Sequence, residues 1–178
     1  MRCVTTLTPS TPTSHLTRER PESNRRLAAL PMRIDRPPPE PLASAPGFLL
    51  SWNGRRTATV FANALERLGL RPPHFGVMRL IEADPGLTQQ ELAERSLIDP
   101  SSMVAVVDEL EELGYAERQP HPGDRRKHDV HLTPEGKRML KRAQAIAMET
   151  AKEILAPLDP DEVNELRRLL RKLAGVED

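Results

Sequence analysis

The positions of the prolines constrain the fold of this chain most strongly, because proline interrupts helices and central strands. Nine of the 18 prolines lie in residues 1–46, among Ser, Thr and Arg residues and few large apolar ones. Such a segment buries too little apolar surface to offset the entropy lost on ordering it. We therefore expect residues 1–46 to form a disordered tail and residues 47–178 to fold. An alternative is that translation begins at Met32 and that residues 1–31 are absent from the native protein.

Composition excludes several classes of protein. Hydrophobic residues make up 38% of the 178 residues and charged residues 29%, which is the balance of a soluble globular chain. No apolar stretch approaches the roughly 20 residues of a membrane-spanning helix, so we expect no membrane partner and a cytoplasmic location. The single cysteine, Cys3, excludes a disulfide framework and a zinc site built from cysteines.

The formal net charge is zero, with 26 basic and 26 acidic residues, but the charges are unevenly distributed. Residues 115–142 contain eight basic and four acidic residues, whereas residues 47–114 contain six and ten. The neutral sum therefore does not exclude a nucleic-acid partner, because such binding depends on local charge.

Capping residues and apolar spacing predict six helices. Thr88-Gln89-Gln90-Glu91 is a capping-box sequence, Asp99 is a typical N-cap residue, and Gly69 and Gly114 are typical C-terminal stops. The expected helices span about 47–68, 73–84, 88–95, 100–113, 134–156 and 160–175. Two extended segments, Tyr115–Gln119 and Lys127–Leu132, flank a predicted turn at Pro120–Asp124 and form a hairpin. The fold class is mainly α with a small β-hairpin wing.

Helical periodicity separates two faces on the helix that begins at Pro100. The predicted core face carries Met103, Val106, Val107, Leu110 and Leu113. The opposite face carries Ser101, Ala105, Asp108 and Glu112, with Val104 at the margin. On the first helix, one face carries Leu50, Thr57, Phe61, Ala64, Leu65 and Leu68.

The order of helix, tight turn, helix and basic hairpin is that of a winged helix-turn-helix. The motifs are Leu87–Glu94, Ile98–Ser102, Val107–Gly114, Asp124-Arg125-Arg126 and Leu132–Gly136. Together they resemble the MarR family of bacterial transcriptional regulators, over about residues 47–175. The resemblance implies a winged helix-turn-helix core at about 73–132. It also implies N- and C-terminal dimerisation helices at about 47–69 and 134–175.

A helix that enters the major groove N-terminus first presents its first turns to the bases. Here these turns carry Pro100, Ser101, Ser102, Val104 and Ala105. An Arg is common in the resembled family where this chain has Ala105, so we expect weaker guanine recognition and more dependence on DNA shape.

The resemblance implies that Arg126 enters the minor groove and that Asp124 holds its guanidinium, while Arg125 and Lys127 add positive charge. At the start of a neighbouring helix, Thr88, Gln89 and Gln90 are candidate contacts to the DNA backbone. Helix capping is an equally good explanation for these three residues.

The resemblance also implies a homodimer on a pseudo-palindromic operator, with a small aromatic or phenolic effector. The candidate pocket residues are Trp52, Arg56, His74, Phe75 and Met78, for which core or dimer packing is the alternative. No metal site is predicted, because His128 and His131 lie three apart in a strand and point to opposite faces. No catalytic group or cofactor is predicted, because the sequence contains no Gly-rich phosphate-binding loop and no Ser/His/Asp motif.

These patterns predict a double-stranded DNA-binding regulator, most simply a repressor relieved by a ligand, and not an enzyme. The alternative is a winged-helix module for protein contact or architecture, without its own operator.

Overall fold

The boundary of the tail differs from the expected one. The computed structural model describes residues 36–96 and 98–176, with the backbone but not the side chain of Arg125. Most of the predicted tail, including Cys3 and Met32, lies outside the described residues. Helix α1 (Glu40–Ala43) nevertheless lies within it, so the prediction of disorder up to residue 46 is wrong for this segment. Pro41 is compatible with the first turn of a helix, where its missing N–H costs no hydrogen bond.

Six longer helices and three strands follow α1 in the described residues. The helices are α2 (Pro46–Glu66), α3 (Pro72–Ala83), α4 (Gln89–Ser96), α5 (Pro100–Glu112), α6 (Pro134–Leu155) and α7 (Pro160–Leu173). The strands are β1 (Leu87–Thr88), β2 (Ala116–His121) and β3 (Asp124–Leu132). The predicted fold class, mainly α with a small hairpin wing, is confirmed. None of the described helices is long and apolar enough to cross a membrane.

The strands form an antiparallel sheet in the order β1-β3-β2. Strand β1, which the sequence did not predict, pairs Thr88 with Asp129 and so joins the start of α4 to the wing. The predicted five-residue turn of the hairpin is wrong. Strand β2 extends to His121 and β3 begins at Asp124, with an irregularity in register at Pro120 and His121.

The predicted helix starts are confirmed by their side-chain caps. The Asp99 carboxylate accepts a hydrogen bond from the Ser102 backbone N–H at 3.0 Å. Thr88 and Glu91 exchange the reciprocal bonds of a capping box. These bonds satisfy backbone donors that have no partner within the helix.

The core lies within the winged domain and against α6. The buried side chains of α5 are Met103, Val106, Val107 and Leu110, as predicted. Leu113 is 42% exposed, which corrects its assignment to the core, because α5 ends at Glu112 and the chain turns. On α2, only Leu65 is buried, and Leu50 is 53% exposed.

The terminal helices leave apolar surface uncovered. Helix α7 has no fully buried residue, and its Leu173 is 73% exposed. Met148 of α6 is 74% exposed. Apolar side chains exposed on several neighbouring stretches of one chain are typical of a protein interface.

We expect Gly136→Ala to destabilise the fold by at least about 2 kcal/mol, because overpacking forces the backbone to shift. A Cβ at Gly136 would overlap the carbonyl oxygen of Tyr115, where the first turn of α6 meets the start of the wing. The matched control is Gly76→Ala in α3, where a Cβ meets no atom within 4 Å. This control should be neutral or stabilising by roughly 0.5–1 kcal/mol. Urea denaturation of both variants measures the difference, and equal stabilities would contradict the close contact.

Candidate nucleic-acid interface

The N-terminal half of α5 presents a neutral surface. Ser101, Val104 and Ala105 are exposed, with Val104 at 44%. Before them, the Asp99 carboxylate accepts hydrogen bonds from the Ser101 hydroxyl at 2.5 Å and from Ser102. These bonds, the Ser101 one foremost, hold the pKa of Asp99 well below its usual range. The predicted exposed face of this helix is confirmed. Its first turns carry no charged side chain, so contact with a DNA groove would not require a charge to be desolvated.

A shallow groove of about 470 Å³ runs between α4 and α5. Its apolar lining includes Ala93, Ile98, Pro100 and Val104. Gln89, Gln90 and Glu94 form its polar side. The surface beside the exposed turns of α5 is therefore suited to contacts with methyl groups and to few charged contacts.

The wing carries exposed positive charge. Arg126 and Lys127 are both exposed, whereas the side chain of Arg125 lies outside the described residues. Asp124 accepts a hydrogen bond from the backbone N–H of Arg126 at 3.0 Å. In the part of the chain that the structure describes, no ion pair joins the carboxylate of Asp124 to the guanidinium of Arg126. In this structure Asp124 therefore bonds to the backbone of the hairpin, and its expected contact with the guanidinium of Arg126 stays a prediction for the DNA-bound protein.

Arg118 of β2 has a role that the sequence did not reveal. Its guanidinium forms ion pairs with Asp108, at 2.6 Å, and with Glu111, both on α5. It also donates a hydrogen bond to the side-chain oxygen of Gln89 at 2.9 Å. Arg118 therefore connects the wing to α5 and α4 and offsets part of the negative charge at the end of α5. Asp108 and Glu111, three residues apart on α5, indicated in the sequence that a basic partner was needed. The sequence did not show that this partner is Arg118, because the fold brings them together.

The three candidate backbone contacts at the start of α4 all have partners within the chain. The hydroxyl of Thr88 donates to Glu91 at 2.7 Å, and the side chain of Gln90 donates to Glu94 at 3.0 Å. With Gln89 bonded to Arg118, capping and bridging account for their side chains. They still line a cleft of about 220 Å³, in which the wing residues Lys127 and His128 also lie. The start of α4 and the wing thus line one cleft, with Lys127 at its wing side.

His74, a candidate pocket residue, is part of the core. It is 3% exposed, and its Nδ1 accepts the backbone N–H of Arg71 at 3.2 Å. Its Nε2 therefore carries the proton and donates to Glu109 of α5 at 2.7 Å. The guanidinium of Arg71 also contacts Glu109. This network attaches the start of α3 to α5.

The other candidate pocket residues are divided between two places. Met78 is fully buried in the core. The ring of Phe75 packs edge-on against Phe61 of α2, with 5.4 Å between ring centroids. Arg56 lies over the Trp52 ring on α2, at 5.9 Å from its centroid. Packing therefore accounts for His74, Phe75 and Met78.

The histidines of the wing do not form a metal centre with neighbouring ligands. His121 contacts the buried Asp129 across the hairpin, with 2.6 Å between Nδ1 and Oδ1. Among the residues that the structure describes, no three His, Cys, Asp or Glu side chains lie close enough together to hold a metal ion.

Comparison with known proteins identifies the family. A family model described as the MarR family matches residues 68–127. The HTH-type transcriptional repressor Rv2887 of Mycobacterium tuberculosis is 32% identical over 129 residues, which cover 72% of this chain and 93% of the repressor. The chain belongs to the MarR family. A putative transcriptional regulatory protein for the hcr operon of Thauera aromatica is 37% identical over 105 residues, and the match spans 63% of that protein, less than two thirds of its length.

Solved structures of MarR proteins have the same fold. The crystal structure of Rv2887 in complex with DNA matches with a TM-score of 0.64 and 31% identity, over 72% of this chain and 97% of the other. CouR from Rhodococcus jostii RHA1, bound to p-coumaroyl-CoA, matches with a TM-score of 0.65 and 33% identity, over 75% of this chain and 94% of CouR. The winged helix-turn-helix architecture of this MarR protein is therefore established.

We expect Glu109→Gln to lower the melting temperature at pH 7, with a difference from the native protein that shrinks in acid. Hydrogen bonds from Arg71, and secondarily from His74, hold the pKa of Glu109 below its usual value. A carboxyl group whose pKa falls on folding stabilises the fold above its unfolded pKa. That contribution is lost as the pH falls below the pKa of the unfolded chain, about 4, and then through the lower pKa of Glu109 in the folded protein.

Thermal unfolding followed by circular dichroism between pH 7 and pH 3 measures this difference. Glu112→Gln, at an exposed position on the same helix, is the control. A difference for Glu109→Gln that stays constant across this range would contradict the assigned network.

Proposed function

We propose that this chain is a homodimeric, sequence-specific DNA-binding transcriptional repressor that responds to a small effector. One observation carries the proposal: α5, with its exposed neutral first turns, is joined through Arg118 to a wing on which Arg126 and Lys127 are exposed. A helix in the major groove and a cationic hairpin in the adjacent minor groove suit this arrangement. The complex of the related Rv2887 with DNA supports it.

In this proposal α5 reads bases through Ser101, Ser102, Val104 and Ala105, with Pro100 at its start. The hydroxyls can bond to bases or phosphates, and the two apolar side chains can pack against thymine methyl groups. Because no arginine projects from these first turns, much of the specificity is assigned to the wing. Arg126 favours narrow A·T-rich minor grooves, where the negative potential is enhanced.

The dimer is assigned to the exposed apolar side chains of α2, α6 and α7. A single protomer offers few base-reading groups, whereas two recognition helices related by twofold symmetry read half-sites about one helical turn apart. Leu50, Met148 and Leu173 are more than half exposed in the protomer and are the residues to be covered. A dimer interface explains this exposure more simply than a solvated surface does.

The effector is assigned to the class of small aromatic or phenolic compounds, as in the complex of CouR with p-coumaroyl-CoA. Of the candidate pocket residues, Trp52 and Arg56 remain available on α2, and Phe75 is partly buried beside it. The proposal assigns regulation rather than catalysis to the chain, and it places its action in the cytoplasm, where bacterial DNA is found.

We expect Ala105→Glu to abolish operator binding without loss of stability. Ala105 is exposed, so the fold tolerates the larger side chain, but a carboxylate there faces the bases and phosphates of DNA. Ala105→Gln has nearly the same size without the charge, and it should retain part of the affinity. A gel-shift assay on the sequence upstream of the native gene measures both variants. Unchanged affinity of Ala105→Glu would overturn the docking of α5.

We expect Arg126→Ala to weaken binding and to reduce its salt dependence. The slope of log K against log salt should fall by about one for each wing that loses its contact, because one fewer counterion is released. Arg79→Ala, at an exposed position on α3, is the control. Fluorescence anisotropy at several salt concentrations gives the slope. A slope equal to that of the native protein would exclude Arg126 from the interface and favour a module that contacts protein.

A further inference from the structure

We propose that Gln89 and the apolar groove between α4 and α5 together recognise the major-groove edge of one thymine in each operator half-site. The inference rests on the proposed function and names a base that the operator must contain. On that edge a thymine presents the acceptor oxygen O4 and, beside it, the C5-methyl group. A complementary protein surface needs a hydrogen-bond donor next to exposed apolar side chains. The start of α4 and the first turns of α5 supply both.

The donor is the side-chain amide of Gln89, and Arg118 sets its orientation. The Oε1 atom of Gln89 accepts a hydrogen bond at 2.9 Å from the guanidinium of Arg118, which Asp108 and Glu111 hold in place. Because an arginine offers only donors, the amide turns its oxygen toward Arg118 and its Nε2 group away. In the described part of the chain this Nε2 group has no acceptor, and no buried side-chain nitrogen lacks a partner. The Nε2 group is therefore open to solvent and available to a ligand.

The apolar part of the site is the groove of about 470 Å³ that Gln89 borders. Val104, 44% exposed, and the exposed Pro100 present apolar surface to solvent along it. Ile98 is partly buried, and Ala93 is only 4% exposed. A methyl group that packs against Val104 and Pro100 leaves water together with part of their surface, which favours binding.

The charges along the groove favour a base over a phosphate. None of the described residues that line it is basic, whereas Glu94 is acidic. A phosphate near Glu94 meets a like charge, but the edge of a thymine has no net charge. Cytosine presents an amino donor where thymine has O4, so the Nε2 group of Gln89 would face a second donor. The donor and the apolar surface together therefore select thymine.

The first test compares the DNA upstream of the native gene with the same fragment containing deoxyuridine, which keeps O4 and lacks only the methyl group. Fluorescence anisotropy with the full-length protein at one salt concentration measures both affinities. One lost methyl contact should weaken binding about fourfold, and one in each half-site should weaken it by about tenfold or more. Equal affinities would overturn this inference and leave the proposed function intact. Failure to bind the thymine fragment at all would overturn both.

Two variants separate a methyl contact from an effect of DNA shape. Val104→Ala removes apolar surface from the groove at an exposed position, so the ratio of the two affinities should fall toward one. Arg126→Ala, on the exposed wing, is the matched control. It should weaken binding to both fragments and leave the ratio as in the native protein. A ratio that is unchanged in Val104→Ala, or that is lost in Arg126→Ala, would contradict the contact.

The donor is tested at the thymine that single deoxyuridine replacements identify. At this position 5-methylcytosine keeps the methyl group and exchanges O4 for an amino group, and the native protein should bind it about tenfold more weakly than thymine. Gln89→Glu keeps the acceptor for Arg118 but replaces the free donor with an oxygen, so it should prefer 5-methylcytosine. Gln90→Glu adds the same charge one residue along and should still prefer thymine. A preference for thymine that survives Gln89→Glu would exclude the assigned role of Gln89.

Discussion

The guanidinium of Arg118 joins two consecutive elements, α5 and β2, to the start of α4, which lies 29 residues earlier in the chain, and the proposed DNA-binding surface depends on this contact. It contacts Asp108 and Glu111 at the end of α5 and Gln89 at the start of α4, while its own backbone belongs to β2. A planar guanidinium with five donors can serve several acceptors at once, which an ammonium group cannot do with the same geometry. One side chain thus contributes contacts to α5, α4 and the wing together.

The same contact explains how an acidic helix end is compatible with a nucleic-acid interface. Asp108 and Glu111 are paired with Arg118, and Glu109 is paired with Arg71 and His74. Two guanidinium groups therefore offset most of the charge of these three carboxylates, which lowers their repulsion toward phosphates. The exposed Arg126 and Lys127 remain the cations that are available for DNA, although the net charge of the chain is zero.

The sequence predicted what is decided locally. The Thr88–Glu91 capping box, the Asp99 cap and the core face of α5 depend on residues within one helix, and all are confirmed except for Leu113 at the end of that face. Pairing of β1 with β3, the bond between Arg118 and Gln89, and the contact of His74 with Glu109 each join residues about 30 to 40 positions apart. Helix caps and helical periodicity involve residues within one element, so they do not predict contacts between residues that are far apart in the sequence. The bond from the Arg126 backbone N–H to Asp124 was not predicted, although an aspartate at a turn bonds readily to a nearby backbone N–H.

The contact between Gly136 and Tyr115 has a mechanical consequence. The first turn of α6 lies directly on the backbone at the start of β2, and Thr133 reinforces the joint with a 2.7 Å bond to the Gly114 carbonyl. No side chain separates the two backbones, so α6 cannot shift along the start of β2 by a change of side-chain rotamers. A change in the tilt of α6 is therefore expected to move the wing in the same direction. In a dimer, the distance between the two wings then depends on the angle between the two α6 helices.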